Sequence, residues 1–319
     1  MWVGWPSREE YWPGNLENAR DEVEALVCAL AGPGREQVKL MVGAPEVYTE
    51  TRARFSNVAG VEVVDGLFGD IWLRDTGPIF KAGSARAAAF QFNGWGGEFV
   101  MEHDDTVATQ IGAISGVPLD HNAFVLEGGA LDHDGQGTIL TTRQCLLNRN
   151  RNPDWTEAKA EAALAEAIGA RKVLWLGDGL LNDHTDGHVD NLARFVAPGV
   201  VAHSVAWGRG DPNDDVYADL ARTLSTMTDA EGQRIRLLPL PSPGFVADAD
   251  GRPVPASHMN FLIANGAVIV PTYGDDRAAD LACQGLATVF PDRKIIPLPS
   301  IHILTGGGSF HCISQQEPA

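Results

Sequence analysis

Hydrophobic and polar positions along this chain recur in one order: an amphipathic helix, a short apolar strand, a glycine-rich or polar loop, then two apolar runs that read as a hairpin. The clearest copy starts at Pro153-Asp154-Trp155-Thr156-Glu157, where Asp154 and Glu157 have the spacing of a capping box. An Ala-rich helix then runs to about Ile168, and Gly169 stands where a C-terminal cap glycine belongs. Lys172 to Leu176 reads as a buried strand, and a polar loop from His184 to Asp190 follows. Leu192 to Val196 and Val200 to Ser204 then flank the turn Ala197-Pro198-Gly199.

The order repeats elsewhere. Val216, Leu220 and Leu224 mark a helical stripe, and Ile235 to Leu240 reads as a strand. Asn260 to Ile263 and Ala267 to Val270 flank Asn265-Gly266. Ala123 to Glu127 and Thr138 to Leu140 are predicted to pair across Asp134-Gly135-Gln136-Gly137. Val61 to Val64 leads to Ile71-Trp72-Leu73-Arg74-Asp75. A helix from about Asp276 to Val289 and a strand at Lys294 to Ile296 lead to Gly306-Gly307-Gly308 and on to Cys312. Five units of about 60 residues use up the chain, and none can bury its apolar face alone. The last unit has one clear strand after Cys312. The segment Trp2 to Trp5, a helix with stripe Ala19, Val23, Leu26, Val27 and Leu30, and the strand Lys39 to Val42 would complete it and close a ring. The expected fold is α/β, with five pseudo-repeats of ββαβ type in one domain spanning residues 1–319.

One polar residue stands near the start of each hairpin: Asp75, Glu127, Asp190, Asn260 and Cys312. In a closed ring these positions converge. Paired carboxylates suit a planar guanidinium, which offers its N–H groups in a fork. Held between them, its central carbon lies open to a thiolate, and His188 would handle protons for the departing ammonia and the incoming water. Each residue also has an ordinary structural reading. Buried cysteines are usually small hydrophobes, and Cys28 and Cys283 sit in apolar helical patterns. Cys145, in Arg143-Gln144-Cys145-Leu146-Leu147, has no acid–base partner beside it in the sequence. Asp75 before Thr76-Gly77-Pro78 suits a turn equally well.

Composition narrows the setting. The chain has 319 residues, with 24 Lys plus Arg against 42 Asp plus Glu, a net charge of −18. That balance disfavours nucleic acid and anionic membranes and suits a cationic small molecule. No apolar run reaches the length of a membrane span. The start, Met1 to Trp12, has no signal-peptide pattern, so a reducing cytoplasm is the expectation. His184 and His188 are four apart, but Gly187 argues against a helix, and no HExxH glutamate is present. No EF-hand, phosphate-loop or serine-elbow spacing is met either. No metal or organic cofactor is expected.

Seven stretches, in order, resemble the agmatine deiminase branch of the guanidine-modifying, pentein-fold enzymes. They are Trp72-Leu73-Arg74-Asp75-Thr76-Gly77-Pro78, Phe92 to Gly97, Leu126-Glu127-Gly128-Gly129, Cys145 to Pro153, Thr185 to Asn191, Asn260 to Gly266, and Gly306 to Gln316. The resemblance covers nearly the whole chain. It implies a five-bladed α/β propeller and hydrolysis of agmatine to N-carbamoylputrescine and ammonia through an amidino-cysteine. It implies Cys312 as nucleophile and His188 as general acid, then base. Asp75 and Asp190 would clamp the guanidinium, and Glu127 would be a further acidic group. Trp72, Trp95, Asn260 and Gly308 would line the substrate site. The stretch before Trp2 is shorter than is usual in the branch, which leaves the substrate-tail pocket open. Related branches act on peptidyl-arginine or free arginine and share the guanidinium, and a basic residue aimed at a carboxylate (Arg74, Arg143, Arg149 or Arg194) would favour them. A catalytically silent guanidinium-binding relative is a third reading. Oligomeric state is open, with a homo-oligomer among the options.

Overall fold

The computed structural model describes residues 1–318. Its strands form five separate sheets. Four of them share one plan: a short strand antiparallel to a second, which runs parallel to a third beyond a helix. These are Ile79–Phe80, Ala87–Gln91 and Leu119–Val125; Asp132–His133, Thr138–Thr142 and Lys172–Leu176; Ala193–Ala197, Val200–Val205 and Arg236–Pro241; and Leu262–Ile263, Ala267–Thr272 and Lys294–Pro299. The fifth joins the two ends of the chain. Ser314–Gln315 runs antiparallel to Trp2–Trp5, which pairs parallel with Val38–Val42, and Val61–Asp65 adds a further parallel strand. The expected completion of the last unit by the N-terminal strand is therefore what the pairing shows.

The crossover helices follow from their sequences. Leu16–Ala31 buries Ala19, Val23, Leu26, Val27 and Leu30, the stripe at three- and four-residue spacing. Asp214–Leu224 buries Tyr217, Leu220 and Leu224 and leaves its acidic first turn at the positive end of the helix dipole. Each fully buried leucine is worth roughly 1.5–3 kcal/mol. Glu157–Ile168 ends at Gly169, whose φ of 75° is the left-handed cap. Its start corrects the capping-box reading. Thr156, not Asp154, is the N-cap, and its hydroxyl accepts the Lys159 N–H.

A second correction concerns Ala123 to Glu127. That run does not pair across Asp134 to Gly137. Its residues through Val125 belong to the last strand of the preceding sheet, and the hairpin partner of Thr138–Thr142 is the two-residue strand Asp132–His133. The chain between them makes a tight helical turn at Gly128–Ala130.

Such turns position the site. Each sheet's first strand is preceded by one: Leu73–Thr76, Gly128–Ala130, Val189–Asn191, His258–Asn260 and the turn through residues 310–313. Asp75, Asp190, Asn260 and Cys312 sit within theirs, and Glu127 immediately precedes its own. Consecutive turns touch from the first to the fourth. The His311 N–H then donates to Asn260 O at 3.2 Å, and the Arg74 N–H donates to Cys312 O at 3.0 Å, so the contacts return to their start.

Candidate active site

Cys312 is buried, 7% exposed, with its sulfur between a carboxamide and a carboxylate. Asn260 Nδ2 lies 3.2 Å from Sγ and Asp190 Oδ2 lies 3.6 Å away. Asn260 Oδ1 accepts the N–H groups of His311 and Cys312 at 2.9 and 3.3 Å. Glycine is required beneath this turn. A Cβ on Gly308 would stand 2.6 Å from the Trp72 ring and 3.1 Å from Cys312 Cβ, and Gly307 has a φ of 107°. Trp72 packs beside Trp12, with ring centroids 6.3 Å apart, and donates from Nε1 to Asp70 Oδ2 at 2.8 Å. Burial and the neighbouring carboxylates push the Cys312 thiol well above its ordinary range, so the resting group is a thiol.

Asp190 stands beside this sulfur, and Asp75, on a different turn, is near enough to act on both through its charge. Asp75 accepts from Trp95 Nε1 at 3.0 Å and from the Gly129 N–H at 2.9 Å. Trp95 reaches it from a left-handed backbone, φ 51°, in a glycine-rich turn capped by Asn93. Asp190 sets Oδ2 2.8 Å from His311 Nδ1, while its buried Oδ1 has no partner. Burial raises Asp75 to about 6. Burial, then repulsion from Asp75, raises Asp190 to about 8. Two acids held this far above the usual carboxylate range, with one oxygen unpaired, are suited to a cation placed between them.

His188 Nδ1 stands 3.8 Å from Asp75 Oδ1, and its buried Nε2 has no partner. Burial lowers it to about 4, so the resting imidazole is neutral and can accept a proton. Glu127 lies within 4.8 Å of the imidazole and is fixed by Arg151 Nε at 2.8 Å. Arg151 also pairs with Asp186 and donates to Thr185 O at 2.9 Å. Thr185 Oγ1 in turn accepts the His188 N–H at 3.1 Å. One buried guanidinium thus holds both Glu127 and the loop that carries His188.

Cys145 has acid–base neighbours after all: one ligand atom each from Glu127, Cys145 and His188 lie within 4.8 Å of one another. Among the described residues this is the group whose spacing could hold a metal ion. Its chemistry fits proton handling better, because burial keeps the Cys145 thiol protonated and Glu127 is already paired to a permanent cation.

These contacts bring the expected residues into one buried cluster. Asn260 braces the Cys312 turn, Trp95 braces Asp75, and Gly308 makes room. His311, Arg151 and Asp70 were missing from the expected set. A histidine beside the cysteine and an arginine in the Asn148 to Asn152 turn were visible, but their partners lie far along the chain.

The fold and this cluster define a guanidine-modifying α/β protein. Residues 1–318 match the family model of the Porphyromonas-type peptidyl-arginine deiminases, and the chain belongs to that family. The agmatine deiminase of Ectopseudomonas mendocina is 36% identical over 344 residues, covering 100% of this chain and 92% of that one. Among solved structures, the Enterococcus faecalis agmatine deiminase superimposes with a TM-score of 0.91 at 34% identity, over 99% of this chain and 92% of that one. A cysteine-to-serine variant of the C. jejuni agmatine deiminase, solved with substrate bound, gives 0.86 at 28% identity over 98% and 91%.

Proposed function

We propose that this protein is an agmatine deiminase, hydrolysing the guanidinium of agmatine to N-carbamoylputrescine and ammonia. The observation that carries the reading is the buried Cys312 thiol beside Asp190, with Asp75 near both: the unpaired Asp190 oxygen and the raised proton affinities of the two acids suit a cation.

Asp75 and Asp190 grip the guanidinium edges, and its charge lowers the cost of ionising both carboxylates and the thiol. The sulfur bonds to the central carbon as its proton passes to His188. The imidazolium, stabilised by Asp75 and Glu127, gives that proton to the departing NH₂ group, releasing ammonia and leaving an amidino-cysteine cation. Neutral His188 then takes a proton from water, whose oxygen adds to the carbon. The C–S bond breaks, Cys312 regains a proton, and the remaining proton leaves with ammonia as ammonium. Besides the substrate and one water, each of these steps is assigned to a group of this chain.

Agmatine is favoured over arginine because it has no carboxylate to pair. Arg74 and Arg194 line a cavity that Asp75, Asp190, His188 and Cys312 do not, Arg143 pairs with Glu157, Arg151 is taken by Glu127 and Asp186, and Arg149 is exposed. The circuit of five turns supports a five-bladed α/β propeller forming one catalytic domain. Four free cysteines, one of them the nucleophile, suit a reducing cytoplasm, and among the described residues no helix is long and apolar enough to cross a membrane. The test is a side-by-side ureido-product colour assay with agmatine, free arginine and an arginyl peptide. Colour with agmatine alone supports the reading, and colour only with the peptide replaces it.

A further inference from the structure

A cavity of about 230 Å³ is walled by chain neighbours of the proposed site residues: Arg74 beside Asp75, Gly128 beside Glu127, and His311 beside Cys312. None of Asp75, Asp190, His188 or Cys312 lines it. Its walls combine Arg74, Arg194 and Gln315 with apolar side chains such as Leu131, Ile139 and Leu262.

Arg74 is the anomaly. It is 4% exposed, yet no carboxylate lies within ion-pair distance of it among the described residues. Its Nε donates to His311 O at 3.3 Å and its Nη1 to Gln315 Oε1 at 2.8 Å, while Nη2 is buried with no partner. Gln315, turned by that bond, leaves Nε2 buried and unpartnered as well. Arg194, paired with Asp132 at 2.8 Å, repels Arg74, which Asp190, Asp75 and Asp132 attract from beyond ion-pair distance. Buried guanidinium groups are ordinarily paired, and two buried orphan donors on adjacent side chains are rare.

We propose that this cavity binds a small organic monocarboxylate. Its two oxygens would accept from Arg74 Nη2 and Gln315 Nε2, the charge-assisted fork that carboxylates favour, and its aliphatic body would lie on the apolar walls. Asp132, already at the cavity, disfavours a dianion such as phosphate. The site goes beyond the deiminase reading and does not depend on it.

The test is calorimetric titration of butyrate into the wild-type protein in buffer free of other carboxylates. Saturable one-to-one binding is expected, weakened about tenfold or more in Gln315→Leu, which removes one donor and retains the arginine. Ile263→Trp, at a half-buried wall position, should weaken it comparably by filling the cavity. Binding should persist in Cys312→Ser saturated with agmatine. No saturable heat with wild type, unchanged affinity in both cavity variants, or displacement of butyrate by agmatine would each overturn the proposal. Because the readout is binding, its failure is separate from any failure of deiminase activity.

Discussion

The carboxamide of Asn260 holds Cys312 from two sides: its oxygen accepts the Cys312 N–H at 3.3 Å, and its nitrogen lies 3.2 Å from the sulfur. The same oxygen takes the His311 N–H, so one side chain sets both the turn and the nucleophile. Asn260→Ala should lower kcat by about tenfold to a hundredfold, the loss expected when hydrogen bonds that orient a reacting group are removed. KM should change little, because the carboxylate clamp is untouched. Steady-state kinetics with agmatine checks this, and a large KM change at constant kcat would move Asn260 into direct substrate contact.

Cys312→Ser should abolish turnover while still binding agmatine. The hydroxyl keeps the size of the thiol but is a far weaker nucleophile at neutral pH. Calorimetric binding together with a product assay separates the two effects. Retained turnover would remove Cys312 from its role.

The clamp makes opposite predictions for affinity and stability. Asp75→Asn or Asp190→Asn should weaken agmatine binding by about 2–5 kcal/mol, because each replaces a buried charged pair with a neutral contact. For stability the sign follows from the raised proton affinity. Folded Asp190 titrates near 8, against an ordinary 3.8, so the folded protein binds the extra proton between those values. Stability from this group is therefore lost as pH rises through that window. Asp190→Asn should melt higher than wild type near pH 8, by about 2 °C or more, with the gap closing below the ordinary carboxylate range. Thermal melts at both ends of the window test it.

Much of this site was legible because its five polar residues recur at one point of a repeat. The helices at Leu16–Ala31 and Asp214–Leu224 announce themselves by their apolar stripes. The turns that carry the site do not, since three or four residues are too few for a period to show. That is why Ala123 to Glu127 read as half of a hairpin. The partners of Cys145 and Arg151 are also invisible in one dimension. Arg151 meets Glu127 from 24 residues away and Asp186 from 35.

Gly129 gives a sharp steric test. A Cβ there would stand 2.5 Å from His188 Nδ1 and 2.7 Å from Asp75 Oδ1. Gly129→Ala must push the imidazole or the carboxylate aside, and its N–H would lose its alignment on Asp75. Activity should fall at least about a hundredfold, since displacements on the order of 1 Å have that effect. Circular dichroism and melting should show a folded protein. Near-normal kcat/KM would mean that the His188–Asp75 geometry is not used.

The pH profile follows from the same two aspartates. kcat/KM reports ionisations of the free protein, in which Asp75 titrates near 6 and Asp190 near 8, mainly because both are buried. The pair titrates as a unit, and a guanidinium needs both members ionised. kcat/KM should therefore decline as pH falls below about 8 and steepen below about 6. Once bound, the guanidinium charge favours both carboxylates, so kcat should hold to lower pH while KM rises. Rates measured from about pH 5 to about pH 9 would show the two limbs separate. Asp190→Asn should remove the upper break and leave the lower one. A wild-type kcat/KM that stays flat down to the ordinary carboxylate range would mean that the aspartates are ionised before substrate arrives, and the cation-driven activation of Cys312 would fall with it.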